Sequence, residues 1–210
     1  MPKWRKGFTL IELMIVVSII GIAAPASAEE NPSNYVVVKG GIYAPSKTFD
    51  VRNINGGGID RVDTKIGLDG ELAIGHYFLP VFATEMGVGY IQSKGSPSLP
   101  PGETNLKVLP VIITAKGLLP LGEIEPYCEL GIGAYFTKLN VTGTLGNFSS
   151  STKGAFGLHA GVGMNFNFTE DVFLGVEGRY LWAKPSFSAS RVQEIDLGGF
   201  TLTADLGFRF

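Results

Sequence analysis

The chain has 210 residues, a formal net charge of -2, 45% hydrophobic residues and 17% charged residues. This length suits one domain with a substantial core. No basic stripe or block occurs, which excludes a nucleic-acid-binding surface. The only cysteine, Cys128, excludes an internal disulfide, and no spacing of cysteine and histidine indicates a zinc site. We therefore expect neither a metal nor a cofactor.

The first 28 residues have the order of an export signal. A basic head at 1–6 precedes an almost wholly apolar stretch at 8–24, and a small-x-small sequence ends at Ala28. This order is typical of a secretory signal peptide and predicts cleavage by signal peptidase after Ala28. The predicted organisation is a leader at 1–28 followed by one domain at 29–210.

The same segment also resembles the start of type IV prepilins, over residues 5–24. The resemblance rests on the run from Gly7 through Phe8 to Glu12, and it implies cleavage after Gly7 by prepilin peptidase and methylation of Phe8. A carboxylate such as Glu12 in an apolar helix costs roughly a few kcal/mol. Pro25, however, ends the helix where a pilin helix would continue. An export leader is therefore favoured, and a retained pilin-like helix is the alternative.

From residue 35 onward, apolar residues alternate with polar ones in long runs. Eight strands are predicted, at 35–44, 64–77, 81–92, 104–117, 125–138, 152–166, 172–184 and 196–210. Most exceed the roughly 9–11 residues that a tilted membrane strand needs, whereas strands of soluble proteins average about 5–6. Short and long connections alternate, as in membrane barrels with short periplasmic turns and long outer loops. The predicted fold is all-β: a closed antiparallel up-and-down transmembrane β-barrel of about eight strands, preceded by one hydrophobic N-terminal helix.

The two faces of the strands differ in polarity. In the last strand, the apolar residues from Phe200 to Phe210 share one parity, and Thr203 and Asp205 share the other. A soluble sandwich would show the same alternation, but aromatic residues at strand ends favour a membrane girdle. The residues expected in this girdle are Tyr77, Phe78, Tyr90, Tyr135, Phe136, Tyr180 and Trp182. The strand at 104–117 is apolar on both faces, so its parity is not determined.

Over residues 35–210 the chain resembles the small outer-membrane barrels of the OmpX, OmpW and OmpA-transmembrane type. The similar sequences are Pro126-Tyr127 with Gly131-Ile132-Gly133, and the C-terminal Leu206-x-Phe208-x-Phe210. The resemblance implies a monomer in the outer membrane of a Gram-negative bacterium, in contact with its lipid. It also implies that the barrel-assembly machinery recognises Phe208 and Phe210.

Charged residues on the inward parity predict a charged interior. They are Lys39, Lys65, Asp69, Glu71, Glu85, Glu129, Glu177, Arg179, Asp205 and Arg209. Unpaired, each would cost several kcal/mol in a dry interior, so we expect them to pair or to hold water. The favoured interpretation is a polar plug that fixes the shape of the barrel. The alternative is a narrow conduit or ligand site that prefers cations, because six of the ten residues are acidic.

No catalytic site is predicted. Asp69 and Glu71 share a face as an acid/base pair would, but a salt-bridge role is favoured, and His159 has no serine two residues away. The predicted function is a structural or narrow porin-like role in the cell envelope, without enzymatic activity. One alternative is an adhesion or ligand-binding barrel that acts through its long outer loops. The other is a pilin-like subunit retained through residues 8–24.

Overall fold

The computed structural model describes part of the chain. The described residues are 33–46, 49–52, 59–64, 66–97, 102–143, 146–149, 153–183 and 197–210. The predicted N-terminal helix lies outside them, as do Lys65 and the alternative leader sites at Ala28 and at Gly7, Phe8 and Glu12. Among the described residues, no helix is long and apolar enough to cross a bilayer.

The described residues form eleven strands, which are connected in one sheet. The strands are β1 (Asn34–Pro45), β2 (Phe49–Arg52), β3 (Ile59–Thr64), β4 (Gly67–Leu79), β5 (Phe82–Pro97), β6 (Gly102–Leu118), β7 (Ile124–Gly143), β8 (Gly146–Ser149), β9 (Lys153–Asn167), β10 (Val172–Ala183) and β11 (Gly199–Arg209). Eight of them are long, and the other three, β2, β3 and β8, are short.

The eight long strands close into an antiparallel barrel. Around the barrel they follow the order β1, β4, β5, β6, β7, β9, β10 and β11, and β11 pairs with β1 to complete the ring. Each long strand pairs with the next long strand along the chain, so the topology is up-and-down. The predicted closed barrel of about eight strands is confirmed, and the predicted strands match the observed ones one for one.

The connections differ between the two ends of the barrel. Short turns join β4 to β5, β6 to β7, and β9 to β10. At this turn end, the backbone amides of Asn34 and Phe210 donate to each other's carbonyls at 3.1 and 2.8 Å. At the opposite, loop end, β2 and β3 form a hairpin, β3 pairs with β5, and β8 pairs with β7. These short strands lie in segments that were predicted as loops. The sequence did not indicate them, because a strand of four to six residues shows too little alternation to be recognised.

Side chains alternate strictly between the interior and the outer surface. In β11, Thr203 and Asp205 are buried while Leu206 is exposed, as the parity predicts. The structure also settles the face of β6, in which Pro110 and Lys116 point inward. Because proline has no amide hydrogen, the pairing of β5 with β6 is interrupted beside Pro110.

The predicted aromatic girdle is wrong for Tyr77 and Tyr135. Tyr135 is buried in the interior, and Tyr77 packs against buried interior residues. Each precedes an exposed phenylalanine, Phe78 or Phe136. Adjacent residues of a strand point to opposite faces, so only one member of each pair can lie on the outer surface.

Two apolar clusters occupy the interior, one toward each end. The turn-end cluster contains Tyr35, Val37, Ala73, Ala83, Leu118, Tyr127 and Phe173. The loop-end cluster contains Tyr43, Ile91, Leu106, Val108, Ile112, Tyr135, Leu181, Ala183 and Leu197. On β1, β5, β6, β7 and β10, inward-facing charged residues lie between members of the two clusters. The middle of the barrel interior is therefore charged, and an apolar cluster lies on each side of it along the barrel axis.

Candidate functional site: the charged layer inside the barrel

Seven charged side chains form one bonded layer in the middle of the barrel. This charged layer consists of Lys39, Lys116, Arg179, Glu71, Glu85, Glu129 and Glu177, all of which are buried. The seven residues come from six of the eight barrel strands. Ion pairs across the interior therefore connect strands that are distant in the sequence.

Two lysines share the same carboxylates. Lys39 Nζ lies 2.7 Å from Glu85 Oε1 and 2.8 Å from Glu177 Oε2. It also lies 3.4 Å from Glu71 Oε1. Lys116 Nζ lies 2.7 Å from Glu85 Oε2 and 3.6 Å from Glu177 Oε2. Glu85 and Glu177 thus each bind both ammonium groups.

Arg179 binds three carboxylates at once. Its Nε donates to Glu129 Oε1 at 2.7 Å, and its Nη1 donates to Glu71 Oε2 at 2.8 Å. Its Nη2 lies 2.7 Å from Glu177 Oε1. A planar guanidinium presents its donors in a fixed fork, so Arg179 holds β4, β7 and β10 at defined distances.

Tyrosines of the turn-end cluster complete the charged layer. Tyr35 OH donates to Glu85 Oε2 at 3.0 Å, and Tyr127 OH donates to Glu177 Oε2 at 2.9 Å. Lys116 Nζ lies 4.5 Å from the centre of the Tyr127 ring. These rings pack with the apolar cluster while their hydroxyls bind the carboxylates, which explains tyrosine at these positions.

A second polar group lies near the turn end, around Arg209. Its Nη2 donates to Asn167 Oδ1 at 2.8 Å and lies 3.6 Å from Glu125 Oε1. Asn165 Nδ2 donates to the same Glu125 oxygen at 2.8 Å. The guanidinium also stacks 4.6 Å from the centre of the Phe173 ring. This group lies beside Phe173 of the turn-end cluster, on the turn-end side of the charged layer.

Two predicted interior carboxylates are not part of the charged layer. Asp205 accepts a hydrogen bond from Thr203 Oγ1 at 2.8 Å. Asp69 has no hydrogen bond or ion pair to any residue that the structure describes. The predicted salt-bridge role thus applies to Glu71, which pairs with Lys39 and Arg179.

His159 is buried beside the charged layer. Its Nε2 lies 2.9 Å from Thr114 Oγ1, and its Nδ1 has no partner within the described part of the chain. No set of three or more histidine, cysteine, aspartate or glutamate side chains in that part is placed to hold a metal ion. Each charged side chain of the layer lies within 4.0 Å of an oppositely charged one, and His159 is not paired with a carboxylate of the described residues.

Two charged residues of the interior, Lys116 and Glu125, are absent from the predicted set. Lys116 was missed because the middle of its strand, Leu109 to Ile113, is apolar on both faces and its parity could not be read. Glu125 has the same parity as Glu129, four residues further along the strand. The alternation of the sequence therefore indicated that Glu125 points inward. All of the predicted interior charges that the structure describes lie on inward positions.

Comparison with known families identifies the barrel. The sequence profile of the outer membrane protein beta-barrel domain matches residues 14–210. The chain belongs to this family. The eight-stranded barrel is therefore a protein of the bacterial outer membrane. A search of curated protein sequences finds no match.

Solved outer-membrane barrels share the fold at low sequence identity. OprG from Pseudomonas aeruginosa is 17% identical, with 86% of this chain and 97% of that chain covered and a TM-score of 0.61. Ail of Yersinia pestis, in complex with sucrose octasulfate, is 15% identical, with 85% and 99% covered and a TM-score of 0.50. The protease OmpT from Escherichia coli is 12% identical, with 89% and 99% covered and a TM-score of 0.51. These likenesses show the fold and leave the activity open, because the group includes a protease.

Proposed function

We propose that this barrel is a structural, non-enzymatic protein of the outer membrane whose interior is closed to hydrated solutes. In the usual orientation of such barrels, the turn end faces the periplasm and the loop end faces outward. The proposal rests on one observation: the charged layer is internally paired and lies between two apolar clusters. We propose that the exposed apolar residues of the outer surface contact lipid.

The energetics favour a plug over a conduit. Eight strands leave an interior just wide enough for side chains to fill. A hydrated ion would have to separate buried ion pairs, and leaving one buried charge without its partner costs about 3–5 kcal/mol. It would also have to pass both apolar clusters. The paired charges therefore hold opposite walls of the barrel together and block passage.

Single-channel recording in planar bilayers tests this proposal. We expect no regular conductance steps from the unmodified protein. The control is a variant with Lys116→Ala and Glu85→Ala, which removes one cation and one carboxylate that lie 2.7 Å apart and leaves space in the charged layer. Small steps from this variant alone support the plug. Regular steps from the unmodified protein contradict it and favour the narrow porin-like role.

Recognition of an extracellular target is the second candidate function. It is favoured by the sheet at the loop end, where β2 and β3 extend the pairing of β5, and β8 extends that of β7. The similar barrel of Ail was solved with a heparin analogue, which suggests sulfated saccharides as the first ligands to assay. Replacing residues 47–65 by a short turn would abolish such binding while the heat-dependent gel shift of the barrel is retained.

We also propose that residues 1–28 are removed during export. An outer-membrane barrel must leave the inner membrane, whereas an apolar helix at 8–24 would hold it there. Mass spectrometry of the purified native protein should give Glu29 as the first residue. A methylated Phe8 at the N-terminus would contradict this and favour prepilin peptidase and the pilin-like alternative.

The barrel-assembly machinery is the proposed partner of the C-terminus. Phe208 is exposed on the outer surface, and Phe210 is hydrogen-bonded through its backbone to Asn34, the first residue of β1. Phe208 thus belongs to the strand that closes the barrel and Phe210 directly follows it, which supports their role as an assembly signal.

A further inference from the structure

Two lysines face each other on the outer surface of the barrel. Lys107 of β6 and Lys138 of β7 are directly opposite in the register of the two strands. Lys107 lies between the buried residues Leu106 and Val108, and Lys138 is exposed. Strand alternation therefore turns both side chains outward. We call Lys107 and Lys138 the outer lysine pair.

The outer lysine pair has no counter-charge in the part of the chain that the structure describes. The other cations whose side chains it describes are inside the barrel and within 4.0 Å of a carboxylate; they are Lys39, Lys116, Arg179 and Arg209. Like charges directly opposite each other on neighbouring strands are destabilising. An anion from outside the chain would remove this repulsion.

The pair lies at a boundary between apolar and polar surface. On the side toward the middle of the barrel, the next outward pair is Leu109 and Phe136, and Phe136 is exposed. On the opposite side, Asn105 accepts a hydrogen bond from Gln92 at 3.4 Å. Both strands continue from here to the loop end. With the loop end outward, as proposed above, this boundary faces the outer leaflet, in which lipid headgroups meet acyl chains at such a change from polar to apolar protein surface.

We propose that the outer lysine pair binds the phosphate group of a lipid headgroup in the outer leaflet. Directly opposite residues have their Cβ atoms about 4.5–5.5 Å apart, so two ammonium groups can contact one phosphate. Lysine binds phosphate as a compact point charge. The acyl chains of the same lipid lie against Phe136 and Leu109, which free phosphate would leave uncovered. This site is independent of whether the barrel interior conducts.

Binding of bisphosphorylated lipid A to the folded full-length protein in nanodiscs of neutral phospholipid tests the proposal. The variant with Lys107→Gln and Lys138→Gln should bind about 30-fold more weakly, because each lysine near a membrane surface contributes roughly a factor of five. The matched control, with Lys107→Arg and Lys138→Arg, retains both charges and should bind as the unmodified protein does. The heat-dependent gel shift should be equal in all three proteins, because neither lysine forms an ion pair within the part of the chain that the structure describes.

Two further arms identify the source of the phosphate. Lipid A without its phosphates should bind the unmodified protein no better than the glutamine variant does. Inorganic phosphate at millimolar concentration should not compete with the lipid. Equal affinity of the unmodified protein and the glutamine variant would overturn the site. Effective competition by inorganic phosphate would overturn the lipid as its ligand.

Discussion

At the residue scale, the role of each lysine depends on where its ammonium group lies. Lys39 contacts three carboxylates in the interior. Lys39→Met keeps a similar length and leaves those carboxylates without one cation. We expect the free energy of unfolding to fall by about 3–5 kcal/mol, as measured by urea titration in vesicles of neutral phospholipid.

The outer surface supplies the control for this change. Lys138→Met removes an exposed lysine without an ion pair in the described structure, and such substitutions usually change stability by less than about 0.5 kcal/mol. If Lys39→Met lowers the free energy of unfolding no more than Lys138→Met does, the charged layer does not stabilise the barrel.

At the element scale, β11 tests which side of the wall meets lipid. Leu206 is 56% exposed on the outer surface, whereas Thr203 is 6% exposed in the interior beside Asp205. Leu206→Arg should destabilise the barrel by up to about 2–4 kcal/mol, because an arginine must then lie in lipid. Thr203→Arg should cost less, because carboxylates are near, although its bulk strains a filled interior.

Folded yield in lipid vesicles, scored by the heat-dependent gel shift, compares the two variants. Leu206→Phe controls for the change of shape without charge and should fold like the unmodified protein. If Thr203→Arg folds worse than Leu206→Arg, packing of the interior outweighs the lipid penalty on this strand.

At the scale of the whole molecule, closure of the ring predicts resistance to detergent. Every barrel strand pairs with two neighbours, including β11 with β1, so the backbone has no free edge along the barrel wall. We expect the folded protein to stay intact in SDS at room temperature and to change its gel mobility on boiling. A protein of unchanged mobility that stays soluble without detergent would contradict the closed membrane barrel.

The strand pattern was readable in the sequence because burial in a barrel alternates with period two. Long runs rich in apolar residues located the eight barrel strands, and the parity within them placed Glu177 and Asp205 inside. The alternation failed for β6, where Leu109 to Ile113 are apolar on both faces, because both the lipid and the loop-end cluster require apolar side chains there. Lys116 was therefore missed as a member of the charged layer.

Only the tertiary structure decided which charges pair. The sequence by itself determined the strands, their order along the chain and the inward parity of most charged residues, since these follow from local alternation. The bonds of Lys39 to Glu85 and to Glu177, and those of Arg179 to Glu71 and to Glu129, cross the interior. Their partners depend on the stagger of the closed ring, which no single strand encodes. The antiparallel pairing of β6 with β7 brings two lysines, 31 residues apart in the sequence, side by side on the outer surface.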